Sequence, residues 1–292
     1  MACHDYHDSY NTLPRDGDPR FPDTSHGPTG GVAASPPNVG YEPGAGTGCC
    51  GNGWAHWSWA ARLLPYIEQS VLAGKENLDT GDMNTAGGSM IVAAYIKTYV
   101  CPSDGYTMSQ KSRTSSADMG GVVCGLGSYK GVAGANWGAD AYPGDGMFGG
   151  DYPNPTPGGS GAAAYNGLER GDGLFWRGDM RFGKLTLMAI TDGTSNTFMI
   201  GECLPEKDLW SAWAYSNGST ATCAIPPNVR KSDGTEYDPS DWPNIYSFMS
   251  NHPGGVQFAY ADGHVSFISN EIALAAYRAL ATSHSGDIAS PE

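Results

Sequence analysis

The most informative part of the chain for its folding is the segment VQFAYADGHVSFIS at residues 256–269. Large apolar side chains alternate with small or polar ones on both sides of Asp262-Gly263, which is the pattern of half-buried β-strands. Asp-Gly favours a two-residue hairpin turn because both turn positions need positive φ. This turn predicts a register that places every large apolar side chain on one face, with the pairs Tyr260–Val265 and Phe258–Phe267.

Other segments supply further strands and helices. The sequences at 128–134 and 183–200 have the character of strands. Apolar residues recur at helical spacing over 57–72, and residues 1–12 have the appearance of the last turns of a helix. We therefore expect an α+β fold in which an N-terminal helix packs on an antiparallel β-sheet containing both strand segments and the hairpin.

Glycine and proline shape the rest of the chain. The 292 residues include 42 Gly and 20 Pro, which is typical of turns and long ordered loops and unlike a helix bundle. Irregular stretches of this kind occupy residues 14–53, 137–172 and 204–247. We expect them to be loop lobes on a single head domain that spans residues 1–292.

The charge balance excludes several classes of partner. With 16 basic and 30 acidic residues, the chain has a formal net charge of −14, which repels nucleic acid and anionic membrane surfaces. No apolar run reaches the ~20 residues needed to cross a bilayer. The acidity suits a secreted protein and provides carboxylates for calcium, although solubility alone also explains it.

The cysteines indicate the redox environment. No C-x-x-C pair occurs, which argues against a zinc ribbon or a thioredoxin-type site. We expect an oxidising, extracytoplasmic compartment, with two or three disulfides and at least one free thiol. Spacing leaves the pairing open among the seven cysteines, which are Cys3, Cys49, Cys50, Cys101, Cys124, Cys203 and Cys223.

The segment ITDGTSNT contains a candidate calcium loop. Asp192, Thr194 and Asn196 occupy alternate positions in a predicted turn, and Glu202 could add another carboxylate. The rest of an EF-hand pattern is absent. The alternative is an Asx-type turn, in which these side chains satisfy backbone amides.

The histidines have no clear chemical partners. His252 is expected to bond the Asp262-Gly263 turn or to cap the start of the strand. As a catalytic pair, His252 and Asp262 lack a nucleophile, since no G-x-S-x-G elbow is present, and as metal ligands they lack a third partner. A structural role is therefore favoured. His4 and His7 share one face of the N-terminal helix, where simple exposure to solvent explains them.

Two further classes of residue keep catalysis and glycan binding open. A glycosidase-type pair of carboxylates could come from Glu68, Asp104, Glu202 and Asp262, although an acidic chain contains many chance pairs. Most of the tryptophans should pack in the core, because each buries a large area. An exposed strip that stacks on sugars would consist of Trp137, Trp176, Trp210 and Trp213.

Several motifs together resemble a known family. They are CHDYHDSYNTLP, WSWAARLLPYIEQ, VCPSD, SYKGVAGA, ITDGTSNTFMIGE and HPGGVQFAYADG, in this order from the first residues to about residue 270. The chain is similar to the prepilin-like family of planctomycetes and their relatives, known as domain of unknown function 1559 and also as a solute-binding family. The family's His-x9-Asp-Gly signature matches His252 and Asp262-Gly263.

The resemblance implies a pilin-like architecture. A basic leader, a cleavage site and a hydrophobic helix would precede the chain, so that residues 1–12 would be the distal end of a truncated pilin-like helix. The implied partners are like subunits or related pilin-like proteins, with polysaccharide as a further candidate. Contact with a membrane would come only through the missing N-terminal helix.

We therefore expect a pseudopilin-like structural or assembly protein, outside the cytoplasm, in surface display, a filament or a type II-like secretion system, and not an enzyme. The first alternative is a secreted glycan- or solute-binding module, which predicts a concave pocket with exposed Trp or Tyr. The second is a carbohydrate-active hydrolase, which predicts two carboxylates, or a His and a nucleophile, in one cleft. Calcium is the one cofactor that the sequence suggests.

Overall fold

The computed structural model describes residues 1–16, 57–79, 83, 85–104, 111–112, 123–135, 171–176, 185–284 and 286. Of the three predicted loop lobes, 14–53 and 137–172 lie mostly outside these residues, whereas 204–247 lies within them. Across the described ranges, no helix combines the length and the apolar character that crossing a bilayer requires.

Short helices and short strands make up a mixed α+β fold. The described α-helices are α1 (Ala2–Tyr10), α2 (Trp59–Arg62), α3 (Ser70–Ala73), α4 (Ala86–Val92), α5 (Trp242–Ile245) and α6 (Leu274–Ala279). The described strands are β1 (Lys111–Ser112), β2 (Val123–Cys124), β3 (Tyr129–Val132), β4 (Phe198–Glu202), β5 (Thr220–Ala221), β6 (Gly255–Tyr260) and β7 (Val265–Ser269). The helix predicted over 57–72 is divided, because Pro65 lies in a 3₁₀ turn and Glu68 after it has a φ of 63°.

A five-stranded sheet with the order β5-β3-β4-β6-β7 forms the centre of the fold. The pairs β3–β4, β4–β6 and β6–β7 are antiparallel, as the sequence predicts. The edge strand β5 is parallel to β3, so the expectation of a purely antiparallel sheet is wrong. A long connection separates β3 from β5, which is what parallel pairing requires. Segment 204–247, predicted to be an irregular lobe, therefore contributes a strand to the sheet.

A β-bulge in β4 determines which way its side chains point. Phe198 pairs with Tyr260, but Ile200 pairs with the very next residue of β6, so Met199 is an extra residue on β4. The two-residue period of an unbroken strand would place Phe198 and Glu202 on the same face. Because of the bulge, Phe198 packs in a buried aromatic cluster while Glu202 lines a cleft on the opposite face.

The two faces of the sheet are covered to different extents. On one face, Phe198 stacks on Phe258 with ring centroids 4.2 Å apart, and Tyr277 of α6 packs edge-on to Phe258 at 5.8 Å. Such pairs each contribute roughly 0.5–1.5 kcal/mol beyond the area that they bury. On the other face, Gly131 lies against Phe175 near one end, where a Cβ would come within 2.5 Å of that side chain. The other end of this face borders open clefts.

The N-terminal helix α1 is docked on the body of the protein. The Nε2 of His4 lies 2.8 Å from the carbonyl oxygen of Ala261, and the Nε2 of His7 accepts the N–H of Leu187 at 3.3 Å. Cys3 of the same helix is buried. Each histidine therefore has its own backbone partner and helps to hold α1 in place. The helix predicted at residues 1–12 is confirmed.

The described cysteines contradict the predicted disulfides. Cys3, Cys101, Cys124, Cys203 and Cys223 are free thiols, and Cys49 and Cys50 lie outside the described residues. Two or three disulfides cannot form from the two cysteines that remain, so this prediction is wrong. Four of the five free cysteines are fully buried, where a thiol packs like a small apolar side chain.

The hairpin forms where the sequence predicts it, but with a longer loop. The N–H of Tyr260 bonds the carbonyl oxygen of His264 at 2.9 Å, which closes a loop of three residues. The last loop residue, Gly263, has a φ of 93°, as a three-residue hairpin requires. The Oδ1 of Asp262 accepts the N–H of His264 at 3.0 Å and stabilises this longer loop.

The longer loop shifts the register of β7 by one residue and reverses its faces. Ala259 pairs with Val265, in place of the predicted pairing with Tyr260. Ile268 is therefore buried, whereas Val265 and Phe267 are 59% and 52% exposed. The prediction that all large apolar side chains share one face is wrong, since a shift of one residue moves every side chain of a strand to its other face.

Alanine substitutions in β7 distinguish the two registers. We expect Ile268→Ala to destabilise the protein by about 2–5 kcal/mol, because it empties a buried site. Phe267→Ala removes a half-exposed ring and should cost about 1 kcal/mol or less. Urea denaturation of the two variants measures both free energies of unfolding. A larger loss at Phe267 than at Ile268 would contradict the three-residue loop.

Candidate functional site

The sheet brings three polar side chains together on its less covered face. Tyr129 of β3 is the register partner of Glu202 at the end of β4. On the other side of β4, Gly201 pairs with Phe258, which places Glu202 next to Gln257 of β6. The N–H of Gln257 donates to Glu202 Oε2 at 2.8 Å and fixes the orientation of the carboxylate.

The second carboxylate oxygen of Glu202 is shared by a thiol and an imidazole. Cys101 Sγ donates to Glu202 Oε1 at 3.4 Å, and His252 Nε2 lies 3.1 Å from the same atom. The three ligand-type atoms all lie within 4.8 Å of one another. The side chains of Glu202 and His252 are 5% and 23% exposed, so the cluster opens to solvent mainly at the imidazole.

The thiol of Cys101 and the imidazole of His252 lie on two different loops, and hydrogen bonds connect these loops. The N–H of Asp104 bonds the carbonyl oxygen of Cys101 at 3.1 Å, which closes the Cys-Pro-Ser-Asp turn. The carbonyl oxygen of Asp104 accepts the side-chain N–H of Asn251 at 2.9 Å. The N–H of His252 donates to Ser250 Oγ at 3.1 Å. The positions of both side chains are therefore set by local hydrogen bonds.

Asp104 brings a second buried carboxylate to the same place. It is 4% exposed, and its Oδ2 accepts the hydroxyl of Ser128 at 2.7 Å. Its Oδ1 is buried and has no hydrogen-bond partner among the described residues. Burial raises the pKa of Asp104, the bond from Ser128 opposes this, and the carboxylates of Glu206 and Glu202 raise it further.

A small cavity and two wider clefts meet at the cluster. The cavity has a volume of about 10 Å³, and its lining includes Cys101, Asp104, Glu202 and His252. A cleft of about 310 Å³ runs along the sheet past Tyr129, Glu202, Gln257 and Val265. A wider cleft of about 550 Å³ lies on the other side of His252. His252 lines all three spaces.

The cluster keeps its thiol protonated. Burial raises the pKa of Cys101, and the hydrogen bond and negative charge of Glu202 raise it further, while bonds from Ser103 and Tyr129 act in the opposite direction. Burial likewise raises the pKa of Tyr129. A thiol of this kind is a poor nucleophile at neutral pH. The arrangement instead presents sulfur, nitrogen and oxygen atoms that can bind.

The predicted calcium ligands do not converge. Asp192 Oδ1 accepts the N–H of Gly286 at 2.9 Å, and its Oδ2 accepts the hydroxyl of Thr282 at 3.3 Å, which ties the loop to the C-terminal segment. The side-chain N–H of Asn196 donates to the carbonyl oxygen of Asp192 at 3.2 Å, which differs from the alternative turn, where the side chain accepts a backbone N–H. Glu202 lies at the far end of β4, where its carboxylate accepts the N–H of Gln257, so the structure does not bring it to the Asp192 loop.

The predicted proximity of His252 to Asp262 is also wrong. The two residues flank opposite ends of β6, and Asp262 Oδ1 instead lies 2.6 Å from His264 Nδ1 within the hairpin turn. Gly263 serves the turn, as described above. Of the four candidate carboxylates, Asp104 and Glu202 line one cavity, whereas Glu68 ends a 3₁₀ turn elsewhere.

The described tryptophans of the predicted strip are buried or partly buried. Trp213 is 2% exposed, and its Nε1 donates to the carbonyl oxygen of Ala94 at 2.9 Å, so it belongs to the core. Trp176 and Trp210 are partly buried against a third apolar cluster. Trp137 lies outside the described residues. Its large apolar area explains why Trp213 is buried and not available to a sugar.

Sequence reasoning missed the role of Cys101. The signal was present in the VCPSD segment, where a cysteine stands before a turn that ends in Asp104. The sequence predicts two or three disulfides and at least one free thiol without assigning Cys101 to either, and the neighbours of Cys101, Glu202 and His252, are distant in sequence. Only the pairing of β4 with β6 brings those two residues together.

The raised pKa of Cys101 makes its alkylation a test of the cluster. We expect iodoacetamide to modify Cys101 only above the usual pH range of a thiol, because the thiolate is the reactive form. Glu202→Gln removes one cause of the shift and should move the rate profile to lower pH. Peptide mapping by mass spectrometry follows Cys101 alone, and Glu236→Gln is the control. An unchanged profile in Glu202→Gln would contradict the observed contact.

Comparison with known families gives one result. The model of a protein family of unknown function, DUF1559, matches residues 1–275, and this family is also labelled as a bacterial solute-binding family. No curated protein and no solved structure gives a significant match. Because the match covers most of the chain, this protein belongs to the DUF1559 family.

Proposed function

We propose that this protein is an extracytoplasmic binding module that holds a small neutral saccharide in the wider cleft beside His252. The observation that carries the proposal is the cleft itself. Its volume of about 550 Å³ is in the range of small-molecule sites. The label of the family as solute-binding agrees with such a role.

The charges of the cleft favour a neutral ligand. Lys207 and Arg230 both contact one carboxylate oxygen of Glu236, at 2.7 and 3.1 Å. Glu271 is a second acidic residue in the lining. Two cations and two carboxylates therefore balance, and the cleft is not built to trap an anion.

The polar groups and the ring of the cleft suit a saccharide. The amide side chains of Asn228, Asn251 and Asn270 both donate and accept hydrogen bonds, as sugar hydroxyls do. Tyr237 supplies an aromatic ring in the same lining, and an aromatic face packs against the apolar face of a sugar. Met249 adds apolar surface to the wall.

Binding is a better account of this site than catalysis. The Cys101 thiol beside the cleft has a raised pKa, which is the wrong direction for a nucleophile. The cluster also holds His252 against Glu202, which leaves the imidazole Nε2 engaged. We therefore infer a protein that holds its ligand without converting it.

Isothermal titration with neutral disaccharides such as cellobiose and xylobiose, and with digalacturonate as the charged contrast, tests the proposal. Arg230→Ala and Tyr237→Ala should each weaken binding of the neutral sugar about tenfold, equivalent to about 1.4 kcal/mol. Lys97→Ala and Tyr95→Ala are matched controls on exposed residues outside the cleft lining. The proposal fails if neither neutral sugar releases heat, or if digalacturonate alone binds.

We further propose that the module is the outward-facing head of a pilin-like surface protein, with like subunits as partners. The support is the sequence resemblance described above, together with the docking of α1 on the hairpin turn through His4. A helix fixed in this way would carry the head at a defined angle to whatever precedes it.

Immunolabelling tests the location. An antibody raised against residues 1–292 should label intact cells of the source organism, because the head would lie outside the cytoplasmic membrane. An antibody against a cytoplasmic enzyme of the same cells is the control, and it should label only permeabilised cells. Labelling by the first antibody that also needs permeabilisation of the cytoplasmic membrane would contradict the proposed location.

A further inference from the structure

Three different ligand types converge at the junction of the clefts. A thiol, a carboxylate and an imidazole place Cys101 Sγ, a Glu202 oxygen and a His252 nitrogen within 4.8 Å of one another. They come from three separate parts of the chain, which only the folded sheet and its loops assemble. Sulfur, nitrogen and oxygen together are the donor set that zinc prefers in proteins.

Two of the three spacings between these atoms are close to those of a tetrahedral zinc ion. With Zn–S of about 2.3 Å and Zn–O and Zn–N of about 2.0–2.1 Å, neighbouring ligands of a tetrahedron lie about 3.5 Å apart for S and O and about 3.3 Å for N and O. The observed distances from Glu202 Oε1 are 3.4 Å to Cys101 Sγ and 3.1 Å to His252 Nε2. Cys101 Sγ and His252 Nε2 lie within 4.8 Å of each other, and these two side chains would close on the ion as it binds.

A second and independent observation points to the same place. Asp104, 4% exposed, lines the small cavity with an Oδ1 that has no partner within the described part of the chain. A buried carboxylate oxygen without a hydrogen-bond partner destabilises the folded state, so its presence indicates that an ion or a water molecule binds there. The cavity volume of about 10 Å³ is about that of one water-sized sphere, which also suits a single ion.

The surrounding bonds hold the ligands in position. Gln257 N–H fixes the other oxygen of Glu202 at 2.8 Å, and Ser250 Oγ accepts the N–H of His252 at 3.1 Å. Tyr129 lines the adjacent cleft together with Cys101. Outer contacts of this kind orient ligands in established metal sites.

We propose that Cys101, Glu202 and His252 bind a divalent transition metal of the zinc type, with Asp104 as a second carboxylate in the lining of the same cavity. Binding displaces the thiol proton of Cys101 to solvent, so that sulfur coordinates as a thiolate. Calcium and magnesium are excluded as preferred ions because they select oxygen ligands. The site differs from the predicted calcium loop at Asp192 and does not depend on the saccharide proposal.

Cobalt and zinc titrations of the chelator-treated protein test the site. Co²⁺ should produce a thiolate-to-metal charge-transfer band and the intense visible bands of a four-coordinate ion, and Zn²⁺ should then displace it. Zn²⁺ should also raise the melting temperature, since a ligand of the native state stabilises it, whereas Ca²⁺ should not. The absence of a charge-transfer band with Co²⁺ would overturn the assignment of Cys101.

Substitutions assign the individual ligands. Cys101→Ser, Glu202→Gln and His252→Asn should each weaken zinc binding by at least about 100-fold, beyond the range for outer contacts. Asp104→Asn should weaken it about tenfold, as expected for a group beside the ligands, and unchanged affinity would show that Asp104 plays no part in the site. Circular dichroism verifies that each variant is folded. A folded Glu202→Gln or His252→Asn that binds zinc normally would overturn the site.

Matched controls separate this site from the other features of the protein. Cys203→Ser changes a thiol that lines the same cavity but donates to the carbonyl oxygen of Gly127 at 3.2 Å, and it should keep zinc affinity. His264→Asn changes an imidazole at the other end of β6 and should do the same. Arg230→Ala should retain zinc, whereas Cys101→Ser should retain saccharide, so that failure of either proposal leaves the other testable.

Discussion

A single extra residue in β4 decides what kind of surface this protein presents. The bulge at Met199 lets Phe198 enter the aromatic core while Glu202, four residues later, points to the opposite face of the sheet. In an unbroken strand, the two side chains would share a face, and the carboxylate would be forced into the apolar cluster at a high desolvation cost. The polar cluster around Glu202 exists because the strand is irregular at this point.

The same carboxylate explains how a charged group can be buried at the edge of the cleft. Glu202 accepts bonds from Gln257 N–H and Cys101 Sγ and contacts His252 Nε2, so both of its oxygens are engaged. Each such bond offsets part of the free energy lost when the Glu202 carboxylate is removed from water. Asp104 differs, because only one of its oxygens has a partner among the described residues, at a cost of about 1–3 kcal/mol. An unsatisfied buried group of this kind needs a specific explanation, and a bound ion or water is one.

Local patterns predicted the elements of this fold better than their registers. The alternation around Phe258 and the helix at residues 1–12 were visible in the sequence, since each depends on neighbouring residues alone. The hairpin register was not, because Asp262-Gly263 fits both a two-residue turn and the last two positions of a three-residue loop. The bond from His264 N–H to Asp262 Oδ1 selects the longer loop, and this choice exposes Phe267.

The site was harder to predict, for a related reason. His252 and Glu202 each appeared among the candidates, but with the wrong partners, because proximity in sequence was the only guide to proximity in space. The antiparallel pairing of β4 with β6 joins them across a long stretch of chain. An acidic chain with seven cysteines resembles an oxidised secreted protein, so the sequence predicts disulfides but does not indicate which thiols stay free. A free thiol beside a carboxylate and an imidazole indicates a ligand-binding cluster and not a disulfide.

His252 lines both the small cavity and the wider cleft. An ion bound to its Nε2 would therefore fix the orientation of the imidazole, which forms part of the wall of the cleft.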